Sequence, residues 1–146
     1  MKSAVKLLES KNHAIHGHRG KGAMIDDMSL QFEIADGKPH VIAVNKVELL
    51  WRGCNSGSSA WYSREEKPVK ELELQYEKSP VKGDTSVTTT PGSKDAYVRV
   101  VFAEAFEVYN GCEIFAYGVE LDIDGVRSTH EVPFNVEREF DEPEDR

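Results

Sequence analysis

Three histidines stand close together near the start of the chain, in the stretch "NHAIHGHRGKG" at residues 12–22. Their H-x-x-H-x-H spacing has the composition of a zinc site, because zinc takes three or four donors in a tetrahedral array. Structural zinc sites place their ligands on two rigid elements, whereas this segment is glycine-rich and no C-x-x-C pair supports it. We therefore predict no native metal site. The candidate ligands are His13, His16 and His18, completed by His130, Asp26 or Asp27.

The same stretch also raises the possibility of a phosphate loop. Such loops need G-x-x-x-x-G-K-[ST] or G-x-G-x-x-G, followed by a helix whose N-terminus faces the charge. Neither motif is present, and the next residues, "AMIDDMSLQF", indicate an acidic turn and a strand. We predict neither nucleotide nor any other cofactor. Arg19 and Lys21 remain available for contact with an acidic protein surface or a nucleic-acid backbone.

A nucleophilic site would need a thiol or hydroxyl beside a base. Cys54, in "GCNSGS", is the candidate thiol, with His40 or His130 as a base brought near by folding. His130 lies on the apolar face of its predicted strand, where a histidine hydrogen-bonded to Ser128 or to a carbonyl is the commoner case. Cys112 follows a predicted turn and is interpreted as a small strand residue. Acid, base and nucleophile do not converge in the sequence, so we predict that the protein is not an enzyme.

Charge is distributed unevenly along the chain. The net charge is −8, which argues against a generic nucleic-acid binder. Residues 1–22 carry five basic side chains against one acid, while the last ten residues hold six acids. The chain shows no secretory signal and no apolar run of membrane-spanning length. These features favour a cytoplasmic protein with free thiols at both cysteines, and such charge segregation is typical of association.

The elements that would position these residues are mostly strands. "SLQFEI" alternates apolar and polar residues, and "HVIAVNKVELLW" is a long β-branched run whose apolar phase shifts near Asn45 and Lys46, as at a bulge. "VKELELQYE" predicts a strand with Leu72, Leu74 and Tyr76 facing the core. A loop at residues 78–95 contains a possible short strand at "SVTTT". Only "SAVKLLES" near the start favours a short helix.

The C-terminal half predicts three strands, at about 96–109, 112–123 and 126–136. They are separated by Asn-Gly at 110–111 and Asp-Gly at 124–125, the dipeptides that favour type I′ turns. We interpret them as a meander, with Pro133 marking an edge strand. The inward residues are predicted to be Phe115, Tyr117, Val119, Leu121 and Ile123 in the middle strand, and Val126, Ser128, His130, Val132, Phe134 and Val136 in the last.

These elements predict an all-β fold: an antiparallel two-sheet β-sandwich, jelly-roll or Ig-like, of about seven or eight strands, with a barrel as the alternative. Residues 1–28 are predicted to form a basic Gly/His-rich N-terminal arm with a possible short helix. Residues 29–137 form the sandwich, and residues 138–146 an acidic C-terminal tail.

Two non-enzymatic functions fit this description. The first is a structural or assembly subunit, such as a virion or phage protein that decorates a capsid or builds a tail, held by contacts with copies of itself or with other subunits. The second is an acidic inhibitor, such as an immunity or anti-defence protein, that blocks the basic active site of a nuclease. Neither function needs a small-molecule substrate, a membrane or nucleic acid. The predicted partner-binding residues are the basic pair Arg19 and Lys21, the apolar anchors Ile15, Met24 and Ile25, and the loop aromatics Trp61 and Tyr62.

Overall fold

The structure is a computed structural model, and it describes residues 4–8, 13–17, 23–53, 63–79, 81–108 and 113–138. These residues form strands and their connections, and none of them belongs to a helix that is long and apolar enough to cross a membrane. The predicted all-β class is confirmed. The strands are β1 (Val5–Leu7), β2 (His13–Gly17), β3 (Ala23–Ile34), β4 (Val41–Gly53), β5 (Ser63–Lys67), β6 (Val69–Leu74), β7 (Val81–Gly83), β8 (Ser86–Thr88), β9 (Asp95–Val108), β10 (Glu113–Ile123) and β11 (Val126–Arg138).

The strands form two sheets. One has five strands in the order β1-β3-β9-β6-β7, and the other has the row β2-β11-β10-β4-β5 with β8 also paired to β4. Every pairing is antiparallel except that of β2 with β11, which is parallel. The described residues thus form two sheets, as predicted, but with eleven strands instead of seven or eight. The strands that the sequence did not indicate are the short β1, β2, β5 and β7.

The N-terminal segment belongs to the sheets wherever the structure describes it. β1 pairs with β3, and its Val5 and Leu7 are buried in the core. Residues 5–7 form a strand, so the predicted short helix is wrong there: apolar residues two apart match the period of a strand. β2 pairs with β11, and the predicted boundary between residues 28 and 29 falls inside β3. The tail beyond Arg138 lies outside the described residues.

The core lies between the two sheets and is built from alternate residues of the long strands. Phe32 of β3 and Val98 of β9 come from one sheet, and Val44 of β4 and Tyr117 of β10 come from the other; all four are fully buried. Because side chains alternate across a strand, most residues adjacent to these four in sequence are more exposed, although Ala116 beside Tyr117 is also buried. The predicted bulge in β4 is confirmed, since Lys46 pairs with Glu120 and Val44 with the next residue of β10, which leaves Asn45 unmatched.

The predicted C-terminal meander is wrong in one connection. β9 lies in the five-stranded sheet between β3 and β6, whereas β10 lies in the other sheet between β4 and β11. The chain therefore crosses from one sheet to the other between them, and residues 109–112, with the predicted Asn-Gly turn, lie outside the described residues. The second turn is confirmed, because β10 and β11 are paired up to Ile123 and Val126, with Asp124 and Gly125 both at positive φ.

Two predicted inward residues are on the surface. Val126 is 72% exposed because it directly follows the hairpin turn at the tip of β11, and Tyr76 is 82% exposed. The remaining inward predictions for β11 hold at Val132 and Phe134, which are buried. The predicted edge strand is wrong for the later part of β11, which lies between β10 and β2. Pro133 lies immediately before the stretch that pairs with β2, which starts at Phe134. A proline at this point is compatible with the end of a ladder, where no N–H is needed.

Candidate protein-interaction surface

Most of the partner-binding residues predicted from the sequence are either buried or lie where the structure does not describe their side chains. Ile15 and Met24 occupy backbone positions in β2 and β3, opposite Val136 and Glu107. Ile25 is 2% exposed and belongs to the core of its own chain, so it is not presented to a partner. The residues of interest that lie outside the described part of the chain are His18, Arg19, Lys21, Cys54, Trp61, Tyr62 and Cys112.

The structure describes the backbone positions of some histidines and the side-chain contacts of others. His13 and His16 are positions in β2. Within the described ranges, no three His, Cys, Asp or Glu side chains are grouped so that they could hold a metal ion. His130 Nε2 lies 2.8 Å from Ser128 Oγ, the partner expected from the sequence, and the pair is half-buried on one strand. Residues i and i+2 share a face of a strand, so this contact arises locally.

His40 is held between two carboxylates, an arrangement that the sequence did not indicate. Its Nδ1 lies 2.6 Å from Asp124 Oδ2, and its Nε2 lies 2.8 Å from Asp36 Oδ1. The hydrogen bond with Asp124, followed by that with Asp36, raises the pKa of His40 above its ordinary value. The side chain is 12% exposed, and its backbone N–H donates to Thr89 Oγ1 at 2.8 Å. His40 therefore favours the imidazolium form, which donates to both acids.

This geometry is unsuited to general base catalysis. In a nucleophile–histidine–acid arrangement one ring nitrogen must face the nucleophile while the other is oriented by an acid. Both nitrogens of His40 face carboxylates, so neither is directed at a hydroxyl or thiol. The cluster instead connects the segment before β4 to the turn between β10 and β11, because Asp124 Oδ1 also accepts the N–H of Val41 at 2.9 Å.

The outer face of the five-stranded sheet carries a network of ion pairs. Arg99 of β9 donates to Asp27 Oδ2 from Nε at 2.7 Å and lies 3.5 Å from Glu73 Oε1. The hydrogen bond to Asp27, together with the charges of both acids, raises the pKa of Arg99. Lys82 Nζ lies 4.0 Å from Glu73 on its other side. The cations of this network are thus already matched by neighbouring acids.

Tyr76 departs from the pattern of its strand. Leu72 and Leu74 are buried, and the same alternation would place Tyr76 in the core. Instead β6 ends at Leu74, and Tyr76 takes a φ of 66°, a region that a bulky residue rarely adopts. The turn directs its side chain outward, where it is 82% exposed. The polar run Glu77–Lys78–Ser79–Pro80 was the sequence signal that the strand was ending.

Tyr76 stands against a second tyrosine on the neighbouring strand. Its ring centroid lies 5.1 Å from that of Tyr97, and the ring planes meet at 87°. Tyr97 is fixed by two further contacts, because its hydroxyl accepts a hydrogen bond from Gln31 Nε2 at 2.9 Å and its carbonyl accepts the N–H of Gln75 at 2.8 Å. One tyrosine is thus anchored on the sheet, and the other projects from it. We call the two rings the tyrosine corner; the name refers here only to Tyr76 and Tyr97 and not to the motif of that name in Greek-key sandwiches.

An open groove runs beside the tyrosine corner. Residues 75–77, 93 and 95–97 line it, and its volume is about 410 Å³. Glu77 and Asp95 are the charged side chains in this lining, and Glu77 Oε1 accepts a hydrogen bond from Thr90 Oγ1 at 2.5 Å. An exposed aromatic side chain beside a groove is typical of a contact residue in protein interfaces. The tyrosine corner is therefore the candidate interaction surface.

The chain has no matching protein-family model, and no curated protein sequence matches it either. Among solved structures it is similar to Spo0M, a sporulation control protein from Bacillus subtilis, with 14% identity over 93% of this chain and 50% of that chain and a TM-score of 0.42. It is similar to the CooA pilin subunit from enterotoxigenic Escherichia coli, with 10% identity over 96% and 100% of the two chains and a TM-score of 0.35. It is also similar to the ASH/PapD-like domain 7 of human CEP192, with 8% identity over 95% and 87% of the two chains and a TM-score of 0.36. The chain spans half the length of the Spo0M chain, and likenesses at these TM-scores assign it neither a family nor a function.

Proposed function

We propose that this chain is a non-enzymatic β-sandwich that acts through protein–protein contacts as a structural or assembly subunit. The observation that carries the proposal is Tyr76, a large aromatic residue that is 82% exposed on a backbone turned outward at positive φ. A left-handed conformation costs a residue of this type about 1–2 kcal/mol, and the edge-to-face contact with Tyr97 returns about 0.5–1.5 kcal/mol, so folding alone gains little on balance from the exposed ring. A contact between this ring and a partner protein would offset the conformational cost at Tyr76.

The strand order supports an immunoglobulin-like sandwich over a jelly roll. In chain order, β1, β3, β4, β6, β9, β10 and β11 correspond to strands A to G of that fold. The row β1-β3-β9-β6 then has the order A-B-E-D, and the row β11-β10-β4 has the order G-F-C. We propose this type for the chain. Immunoglobulin-like sandwiches host many unrelated functions, so the functional proposal depends on the surface and not on the fold.

The proposed partners are copies of the chain or other subunits of an assembly, such as a virion or a phage tail. The unequal distribution of charge supports association, since residues 1–22 carry a net +4 in a chain whose net charge is −8. Residues 1–22 include β1 and β2, so this segment contributes to the fold as well as to any contact with a partner. β1 places buried Val5 and Leu7 in the core, so removal of residues 1–22 would destabilise the sandwich as well as any contact.

An acidic inhibitor remains the second candidate, and the outer face of the six-stranded sheet favours it. Glu48, Glu120 and Glu131 surround Gly118 there, in a shallow cavity of about 420 Å³ that also includes Lys46. An acidic concave surface steers a protein toward basic partners such as nucleases. An inhibitor would use this face as a monomer, whereas a subunit would use the tyrosine corner to assemble.

Sedimentation velocity over a range of concentrations tests the proposal. The wild-type chain is expected to associate reversibly, and Tyr76→Asn is expected to remain monomeric at the same concentrations. Val126→Thr is the matched control, because Val126, the first residue of β11, is a similarly exposed apolar residue, 72% accessible, and does not line the groove beside Tyr76. A wild-type chain that is monomeric at every concentration and inhibits a basic nuclease would support the second candidate instead.

A further inference from the structure

The groove beside the tyrosine corner has the shape of half an aromatic cage. The rings of Tyr76 and Tyr97 meet at 87°, so they form two walls at a right angle and do not stack on each other. Tyr76 is 82% exposed, and its ring is therefore open to a ligand. Cations bind over the faces of aromatic rings within about 6 Å of the centroid, because the ring face carries negative electrostatic potential.

The negative charge of the groove also favours a cationic ligand. Its lining includes the carboxylates of Glu77 and Asp95, and the remaining side chains in it are neutral. Glu33 on β3 is the direct partner of Asp95, but it lines a separate cavity and is not counted in the charge of the groove. An anion would be repelled here, whereas a cation would meet both the ring faces and the carboxylates.

The lysines and arginine near the groove in sequence, Lys78, Lys94 and Arg99, are not part of its lining. Arg99 lies two residues beyond Tyr97 on the same face of β9, but Asp27 and Glu73 already hold its guanidinium. Lys94, which precedes Asp95, lines a separate cavity together with residues 4–6 and 33–35. The groove is therefore complementary to a cation that comes from another molecule.

We propose that the groove binds a cationic side chain, an arginine above all, of a basic segment in a partner protein. This inference rests on the proposed function and names the chemistry of its partner. Arginine fits better than lysine because its planar guanidinium stacks on an aromatic ring while its N–H groups donate to a carboxylate in a fixed geometry. Tyr76 supplies the ring, and Glu77 and Asp95 supply the acceptors. Glu77 is already oriented by Thr90.

The test is a titration of the ¹⁵N-labelled chain, followed by amide chemical shifts. The probe is N-acetyl-arginine-N-methylamide, which carries a single positive charge. Its uncharged isostere, N-acetyl-citrulline-N-methylamide, is the control for shape, and methyl β-glucoside tests whether the rings serve as a carbohydrate platform. We expect saturable shifts at residues 75–77 and 93–97 with the arginine probe and no saturation with the other two.

Three variants separate the contributions. Tyr76→Asn removes the ring at a position where asparagine tolerates positive φ, and binding should be lost. Glu77→Gln keeps the acceptor for Thr90 but removes the charge, and the affinity should fall about fivefold. Val126→Thr should bind as the wild type does. Shifts spread evenly over the acidic surface, equal binding of the citrulline probe, saturation by the glucoside, or unchanged binding by Tyr76→Asn would each overturn the proposal.

The two proposals fail separately. If Tyr76→Asn prevents assembly in sedimentation but the arginine probe does not bind, the assembly function stands and the cation site is wrong. If the probe binds at the tyrosine corner but the chain does not assemble, the cation site stands and self-assembly is wrong.

Discussion

The imidazole of His40 and the carboxylate of Asp124 are joined by a 2.6 Å contact although 84 residues separate them in sequence. His40 directly precedes β4, and Asp124 is the first residue of the turn between β10 and β11. The backbone N–H of Asp124 also donates to the carbonyl of Val41, and Asp124 Oδ1 accepts the N–H of Val41, both at 2.9 Å. Asp36 completes the cluster on the other ring nitrogen. Together these contacts fix the tip of the hairpin to the start of the neighbouring strand.

The His40 cluster predicts a pH-dependent contribution to stability. The pKa of His40 is raised, so its contribution is full below pH 6.5, its ordinary pKa, and is lost as the pH rises through the higher folded value. The pKa values of Asp124 and Asp36 are lowered, chiefly by the hydrogen bond from His40, so their contribution is full above 3.8 and is lost as the pH falls through the lower folded values. The cluster is therefore most stabilising between these two ordinary values.

Urea unfolding of the wild type and of His40→Gln, at about pH 5.5 and about pH 9, measures this contribution. We expect the loss of unfolding free energy in His40→Gln to be larger at the lower pH. Equal losses at the two pH values would mean that His40 stabilises the protein by packing and not through its charge.

The turn between β10 and β11 predicts a second effect on stability. Asp124 has a φ of 51° and Gly125 a φ of 86°, as a type I′ turn requires. A Cβ at Gly125 would meet no atom within 4 Å, so the cost of Gly125→Ala is conformational and not steric. We expect Gly125→Ala to lower the free energy of unfolding by about 1–2 kcal/mol. Gly125→Asn should lose less, since asparagine tolerates positive φ, and equal losses in chemical denaturation would contradict this account.

Local patterns in the sequence were sufficient for several elements of the fold. The turn at Asp124 and Gly125 is determined by two adjacent residues, and the inward face of β10 follows from strict alternation. The bulge at Asn45 was likewise visible as a change of phase within one strand. In each case the signal lies within a few residues of the structure that it predicts.

The features that were missed depend on distant residues. The alternation in β9 and β10 is the same whether the two strands are paired or lie in different sheets, so it could not exclude a meander. The His40 cluster joins residues from two turns that are far apart in sequence. At Tyr76 the alternation predicts a buried side chain, whereas the side chain is 82% exposed. A conflict of this kind between local pattern and structure is typical of functional or strained positions.

A third prediction concerns Tyr117 in the core. Its side chain is fully buried, and within the described part of the chain its hydroxyl has no hydrogen-bond partner. Burial, and secondarily the charge of Asp27, raises the pKa of this hydroxyl. Tyr117→Phe would remove the unsatisfied group and keep the ring, which stacks on Phe134 with centroids 4.4 Å apart. We expect the free energy of unfolding to rise by about 1 kcal/mol, with an unchanged m-value in urea.

The control for this prediction is Tyr117→Leu, which removes the hydroxyl together with the ring. It should be less stable than Tyr117→Phe, because the contact with Phe134 is lost. A loss of stability in Tyr117→Phe would instead show that the hydroxyl contributes an interaction in the folded state.

The last prediction separates the backbone cost at Tyr76 from the contact that its ring makes. Tyr76→Asn should relieve about 1 kcal/mol of conformational cost at a φ of 66°, and lose about 0.5–1.5 kcal/mol of contact with Tyr97. The two effects nearly cancel, so the single variant should be close to the wild type in stability. In a Tyr97→Leu background the ring contact is already absent, and the same substitution should then stabilise the chain by about 1 kcal/mol. Urea unfolding of the four proteins completes the cycle. If Tyr76→Asn destabilises the chain equally in both backgrounds, the Tyr76 backbone is unstrained and its ring packs on residues other than Tyr97, and Tyr76 would lose the feature that distinguishes it as a binding residue.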